Sequence, residues 1–399
     1  MSTHKRIPKG NGLLPADLAK SISTTCYVLA ALGLAGGIAA FMSDRVHFGF
    51  AYLVGFLFTM TITAGSLFFV VILHLSKSGW SVAPRRALEW LSQGTTALPA
   101  LFIPLILLAP QVWSKWMASE AGHDHVIAGK HGYLNTTFFF IRAAVFLSVW
   151  ALLAFWFYKN SREQDQTGDR KLTGRSEAFA APATFLMGLS ITFAAFDWIM
   201  SLSPHWYSTI FGVYVFAGSV VATFAVLALI AIRYRAHNVA GDLLTVEHQH
   251  DIGKYLFGFV IFWAYIGFAQ FMLIFYANIP EETVFYRIRW EGGWYVPSLV
   301  LLFGHFIIPF LMLISRTGKR SPTILSLAAI LVLAMHFLDL YWMVMPNLMP
   351  NFAMSWIDFA AFLTPVGLAL AWIAYRVLGD PAYPLKDPYT PEALKAENL

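Results

Sequence analysis

Between Ile22 and Val377 the sequence is almost continuously apolar, cut by short polar stretches into ten runs. They lie at Ile22–Met42, Phe48–Leu75, Ala87–Pro110, Leu134–Tyr158, Ala178–Leu202, Trp206–Arg233, Ile252–Ala277, Trp294–Ser315, Thr323–Met345 and Ala353–Val377. At 1.5 Å per residue each is long enough to cross a hydrocarbon core of ~30 Å. In lipid the backbone must satisfy its own N–H and C=O groups, so a run of this length folds as helix. The expectation is an all-α polytopic membrane protein with ten transmembrane helices. Composition agrees, since only 12% of the 399 residues are charged, against roughly 25% in a soluble domain.

The division that follows is a short polar segment (1–21), a ten-helix domain (22–378) and a Pro-rich tail (379–399). Of the 27 Lys and Arg residues, 21 fall on one side of the alternating loops, among them Lys5, Arg6, Lys9, Arg85, Arg86 and Arg162. Five fall on the other side and Arg142 lies inside a span. This bias places both termini in the cytoplasm. It also accounts for the sequence pI of about 9.1 without a nucleic-acid partner. The tail is expected to be extended, either disordered or lying on a partner. In the first span Gly33, Gly36 and Gly37 suit close helix contact.

Cys26 is the one cysteine. One thiol builds neither a cysteine-ligated zinc site nor an iron–sulfur cluster, and no CxxCH haem motif is present. The chain is therefore expected to bind no cofactor of those kinds.

Charged groups inside the spans carry the functional reading. The stretch Phe196–Thr209 reads as the tip of a hairpin, with Trp198, Trp206 and Tyr207 as an interfacial aromatic belt and Ser203-Pro204 starting the next helix. Asp197 lies about one to two turns inside it, where an ionised carboxylate is costly. By helical rise Arg142 is roughly 12 Å, Asp197 roughly 8 Å and Asp358 roughly 9 Å from the outer end of its span. The three form a candidate outer layer: an ion pair, a proton exit or a site for a quinol headgroup. Arg142 is expected to pair with Asp197, with Asp358 second.

His305 and His336 fall near the midplane, with Asp339 at i+3 from His336. They are a candidate proton relay, because histidine titrates near neutral pH. Neutral histidines bonded in a core, and a bis-histidine haem, are the other readings of the same residues. Gln270, His74 and Glu177 are auxiliary candidates, the last two near the cytoplasmic end. Two His-rich stretches, Gly122–His125 with His131 and His248–His250, lack a closed four-ligand pattern and read as solvated loops. The outer loop 278–293, with Glu281, Glu282, Arg287, Arg289 and Trp290, is a candidate docking surface.

The span Phe262–Ala277 with its following Asn278-Ile279-Pro280-Glu281-Glu282-Thr283, the Phe196–Thr209 stretch and Ile307–Phe310 together resemble the NrfD-like (polysulfide-reductase membrane-subunit-like) family. The resemblance is to the second, smaller NrfD-like membrane subunit of bacterial alternative complex III, a quinol:cytochrome c (or oxidase) oxidoreductase, and covers essentially all ten spans. It implies two four-helix bundles, spans 2–5 and 6–9, flanked by spans 1 and 10, in the bacterial cytoplasmic (inner) membrane. It implies a scaffold without its own redox centre and a role in proton translocation. The quinol, c-type haems and iron–sulfur clusters would sit on partners: a larger NrfD-like subunit, extracytoplasmic iron–sulfur and c-type cytochrome subunits, and a terminal oxidase. It carries over no catalytic residue.

Two alternatives stand beside it. One is an NrfD-like quinol-binding anchor, which would use the outer layer. The other is a secondary transporter, for which paired Gly/Pro-broken spans are expected and are not seen in the sequence.

Overall fold

The computed structural model describes residues 10–118 and 124–397; Lys5, Arg6, Lys9 and His123 lie outside them. Among the described residues there is no strand. The helices are, in order, α1 (Ala16–Ser43), α2 (Arg45–Leu75), α3 (Val82–Ser92), α4 (Leu98–Leu101), α5 (Ile103–Leu107), α6 (Ala109–Val112), α7 (Ser114–Met117), α8 (His125–Gly129), α9 (Thr136–Thr167) and α10 (Arg170–Trp198). They continue with α11 (Phe211–Ala236), α12 (Val246–Ala277), α13 (Pro280–Ile288), α14 (Tyr295–Leu301), α15 (Ile308–Leu313), α16 (Arg316–Arg320), α17 (Pro322–Val344), α18 (Trp356–Val377) and α19 (Thr390–Lys395). A π-helical segment, Leu302–Ile307, joins α14 to α15. Among the described residues nine helices are long and apolar enough to cross a membrane, or ten if the bent pair Val82–Thr96 and Leu98–Leu107 is one span. The chain is an all-α, multi-pass membrane protein.

Boundaries are set by caps. The Asp44 carboxylate accepts from the backbone N–H groups of Val46 and His47 at 3.0 Å, starting α2 one residue after α1 ends. Gly168, at φ +70°, closes α9, and Asp169 caps α10. Ser321 caps α17 ahead of Pro322, a residue suited to the first helical position.

The helix α2 organises the packing. Its apolar window is 83% buried, against 22% for α1, so α2 is an interior helix and α1 a peripheral one. It touches α10, α11, α17 and α18, and α1 lies along α18. At Gly33 a Cβ would come within 2.6 Å of the Leu363 carbonyl oxygen, and the Thr364 hydroxyl donates to the Gly33 carbonyl at 2.8 Å. Glycine is needed there because the two backbones are that close.

The third apolar run is not one straight helix. Pro99, Pro104 and Pro110 divide it into short segments, with a 43° bend after Thr96. Proline lacks an N–H and clashes with the preceding turn. Side chains take up carbonyls at and beside the break: Tyr52 donates to Leu101 O at 2.9 Å, and Thr95 to Ser92 O at 2.8 Å.

Several expectations are corrected. The sixth span begins at Phe211, not Trp206; Ser203 and Pro204 lie in turns, held by Lys130 donating to Pro204 O at 2.6 Å. Trp198 does not face outward but is wholly buried against Phe56, Phe102 and Trp150. Trp206 is buried too, stacked on Phe285 at 4.0 Å, leaving Tyr207 exposed. Arg85 and Arg86 are not loop charges. They are buried on α3, where Arg86 pairs with Glu89 at 2.9 Å and Asp165 at 2.8 Å.

The described tail is not free: it is held against the rest of the chain. It folds across the end of the molecule where α1 begins: Ala382 N–H donates to Gly12 O at 2.7 Å. Asp380 pairs with Arg162 at 2.7 Å, Asp387 pairs with Arg85, and the Tyr389 hydroxyl donates to Glu177 at 2.7 Å. Ala382 and Tyr383 are buried. Its acids answer the arginines on α3 and α9, which explains why a Pro-rich segment is held. We refer to this end as the strapped face and to the other as the far face.

Candidate functional site

Arg142 lies two turns into α9 and Asp197 at the last turn of α10. Both are near the far face, and the structure brings them together. Arg142 Nε donates to Asp197 Oδ2 at 2.7 Å and Nη2 to Oδ1 at 3.0 Å, the forked geometry of a guanidinium on a carboxylate. Nη1 donates to Tyr133 O at 2.9 Å, and the guanidinium stacks on Tyr133 and Phe138. Asp197 is wholly buried.

Asp358 does not join them. The helix α18 starts at Trp356, so Asp358 is in its first turn and not two turns deep. It closes a capping box with Ser355, accepting from Ser355 N–H at 2.7 Å, and its other oxygen meets His47 Nε2 at 2.8 Å. The outer layer is therefore two separate pairs, Arg142 with Asp197 and His47 with Asp358.

The midplane residues do gather. Asp339, on α17, accepts from the Tyr214 hydroxyl of α11 at 2.5 Å and from Trp263 Nε1 of α12 at 3.1 Å. His336, one turn earlier, meets the Thr61 hydroxyl of α2 through Nε2 at 2.8 Å. His305 lies in the π-helical segment with its ring 4.0 Å from that of Trp263 and 6.4 Å from that of His336. All three are buried. Neither ring nitrogen of His305 has a hydrogen-bond partner among the described residues, nor has Nδ1 of His336. Buried polar atoms are rarely left so, and π-bulges gather at functional sites. Five elements thus converge on one buried carboxylate and two imidazoles.

Hydroxyls continue this cluster along α2 and α11. Ser219 donates to Thr61 O at 2.5 Å and Thr223 to Ile62 O at 3.2 Å. Gly65 allows it: a Cβ there would meet Thr223 Oγ1 at 2.4 Å and Ser219 Oγ at 2.6 Å. Two turns further toward the strapped face, His74 is buried against Phe157 with Nε2 unpartnered among the described residues. Glu177 lies at that face, 3.5 Å from Lys77. Toward the far face, Gln270 accepts from the Ser208 hydroxyl and donates to the Tyr286 hydroxyl, each at 3.0 Å.

The His-rich stretches have structural roles. His248 and His250 are buried in the first two turns of α12, His248 within a capping box with Thr245, so they are not a solvated loop. Asp124 caps α8 and pairs with His205 at 2.7 Å. Backbone N–H bonds from Ile127 and Val126 and the neighbouring His205 hold the Asp124 carboxyl below its usual range. Among the described residues no group of three or more His, Cys, Asp or Glu is placed to hold a metal. In the 278–293 loop Arg289 is not a surface group. It is buried and clamps three backbone carbonyls, those of Phe285, Trp342 and Met343, at 2.6–3.0 Å. Burial pushes it down to about 9.

The sequence reading missed Thr61, Tyr214, Trp263 and Glu89. The aromatic pair looks apolar in a span, and only a polar tip far from either end distinguishes it. No protein-family model matches the chain, and no curated protein is significantly similar to it.

Proposed function

We propose that this chain is an integral membrane subunit of a bacterial quinol:cytochrome c (or oxidase) oxidoreductase of the alternative complex III kind, NrfD-like, without a redox centre of its own. In this reading it has ten spans in the cytoplasmic membrane, both termini inside, and two four-helix bundles formed by spans 2–5 and 6–9. Partner subunits supply the quinol-oxidising site, c-type haems and iron–sulfur clusters, and a terminal oxidase is a further partner. The chain serves as scaffold and carries protons.

The observation that carries the proton role is the buried Asp339–Tyr214–Trp263 group beside His336 and His305. A carboxyl and two imidazoles with unspent nitrogens can take and give protons where no charge is otherwise stable. The 6.4 Å between the imidazole rings is a distance one bridging water can span. Hydroxyls of α2 and α11 lead from His336 toward His74 and Glu177, and Gln270 leads toward the far face.

Two alternatives fare less well. A quinol headgroup at Arg142, Asp197 and Asp358 would have to compete with the bonds that each already makes within the chain. A secondary transporter would break corresponding helices of two repeats. Here the breaks fall in the third and the eighth apolar runs, the second and third members of the two groups of four.

The test is a purification in gentle detergent, with mass spectrometry of co-purifying chains and a visible spectrum. Iron–sulfur, multihaem and second NrfD-like chains with a c-type haem spectrum are expected. A lone, colourless polypeptide would overturn the reading.

A further inference from the structure

The helices α9 and α10 form a hairpin that carries an open groove of about 620 Å³ toward the strapped face. One wall is Trp156, Lys159 and Glu163 of α9, and the other is Arg175, Phe179 and Pro182 of α10. Buried Asn160 ties the walls together, donating to Leu172 O at 2.7 Å and to the Ser176 hydroxyl at 2.5 Å. Lys159, Glu163 and Arg175 are exposed. Among the described residues no ion pair or side-chain hydrogen bond engages their charged ends. Two cations and one carboxylate thus stand unspent where the apolar runs of both helices end.

Helical spacing puts these groups in a fixed order. Glu163, Lys159, Trp156 and Leu152 recur every three or four residues, so they share one face of α9 over about 17 Å of rise. Asn160 bonds Ser176 and Gln164 bonds Thr173, so α10 runs antiparallel and Arg175 stands level with Lys159. Arg175, Phe179, Pro182 and Leu186 share a face of α10 by the same spacing. From the strapped face inward the groove presents a carboxylate, two cations, an indole N–H and then the exposed side chains of Leu152 and Leu186. The Trp156 ring packs on Phe179, centroids 4.6 Å apart, and its Nε1–H has no partner among the described residues. Pro182 has no N–H to give to the Ala178 carbonyl, an acceptor on the same wall.

A glycerophospholipid carries the complementary groups in the same order from water to midplane: a polar headgroup, a phosphate, ester carbonyls and acyl chains. Basic pockets between membrane helices hold lipid phosphates, and indole rings sit at headgroup level. Glu163, one turn outside the cations, selects among lipids. It needs a donor, and a positive one, because a phosphate held by Lys159 and Arg175 has none to offer. The choline headgroup has no N–H, and the glycerol headgroup has hydroxyls without charge. We infer that this groove binds one phosphatidylethanolamine in the leaflet at the strapped face. Its phosphate lies between Lys159 and Arg175, its ammonium on Glu163, an ester carbonyl on Trp156 Nε1 and its chains along Leu152 and Leu186. Such a site needs only the membrane, not the assembly proposed above.

Native mass spectrometry tests this on the full chain, stripped of lipid in detergent and titrated with palmitoyl-oleoyl phosphatidylethanolamine, phosphatidylcholine or phosphatidylglycerol. One phosphatidylethanolamine is expected to bind at least about tenfold more tightly than either of the others. Lys159→Ala with Arg175→Ala should abolish that preference. Glu163→Gln should lower phosphatidylethanolamine binding several-fold and leave phosphatidylglycerol binding no weaker. Arg170→Ala with Lys171→Ala removes the same charge from exposed residues of the same hairpin outside the groove, and should change nothing. All these side chains are exposed, so melting temperatures should stay level. Equal binding of the three lipids, or tighter binding of phosphatidylglycerol, would overturn the inference. So would a preference that survives loss of Lys159 and Arg175, or one that falls as far on loss of Arg170 and Lys171.

Discussion

Arg142 and Asp197 meet through two parallel N–H···O bonds, 2.7 and 3.0 Å long, across the interface of α9 and α10. The two side chains are 55 residues apart in sequence and hold the far ends of two long helices in register. Removing one partner of such a pair costs about 3–5 kcal/mol, because the other charge is left buried. Arg142→Ala strands Asp197, whereas Asp197→Asn keeps a hydrogen-bond acceptor for the guanidinium. The expectation is that Arg142→Ala lowers assembled yield and melting temperature more than Asp197→Asn. Equal, fully assembled yields would argue against a structural pair.

The strap across the molecule's end makes a second expectation. Arg85 is buried between Glu89 and Asp387. Arg85→Ala removes the charge that holds Asp387 and should loosen the tail. Trypsin cleavage after Lys386 is then expected to speed up at least about tenfold, since proteolysis of a docked segment follows its local opening. Unchanged cleavage would mean that the other contacts suffice.

A third concerns α1. A side chain at Gly33 would strike the backbone of Leu363, which no rotamer change relieves. Gly33→Leu is expected to cost about 1–3 kcal/mol, read as a lower melting temperature, while Gly174→Leu, where nothing lies within 4 Å of an added Cβ, leaves it unchanged. Equal melting of the two would show that α1 can shift without loss.

These sites differ in how plainly the sequence announces them. The all-helical class was legible because lipid leaves a long apolar run little choice, and the run that bends by 43° carries Pro99, Pro104 and Pro110. The meeting of Arg142 with Asp197 was legible as depth: both lie about the same distance from one surface. Asp358 was placed too deep because its span was started ahead of Ser355, the residue that caps the helix. Ser355 and Asp358, three apart, spell a capping box, and that would have set the start correctly. Arg85 and Arg86 were counted as loop charges although Glu89 lies three and four residues on, a helical spacing. The tail was read by its prolines alone, while Asp380 and Asp387, which fix it, are ordinary acids until their arginines are known. Tyr214 and Trp263 could not be told from packing aromatics, because what singles them out is a carboxylate on another helix.

In the proposed function the buried group around Asp339 carries protons. The direct measurement is proton release per quinol oxidised by the assembled complex in sealed vesicles, with Asp339→Asn and His336→Ala beside the wild type. Asp339→Asn removes the titrating group while keeping an oxygen for Tyr214, so assembly should be preserved. The account predicts that both variants assemble and that release falls to what the quinol itself gives up. Unchanged proton release in both would contradict it and leave Asp339, His336 and His305 as packing groups.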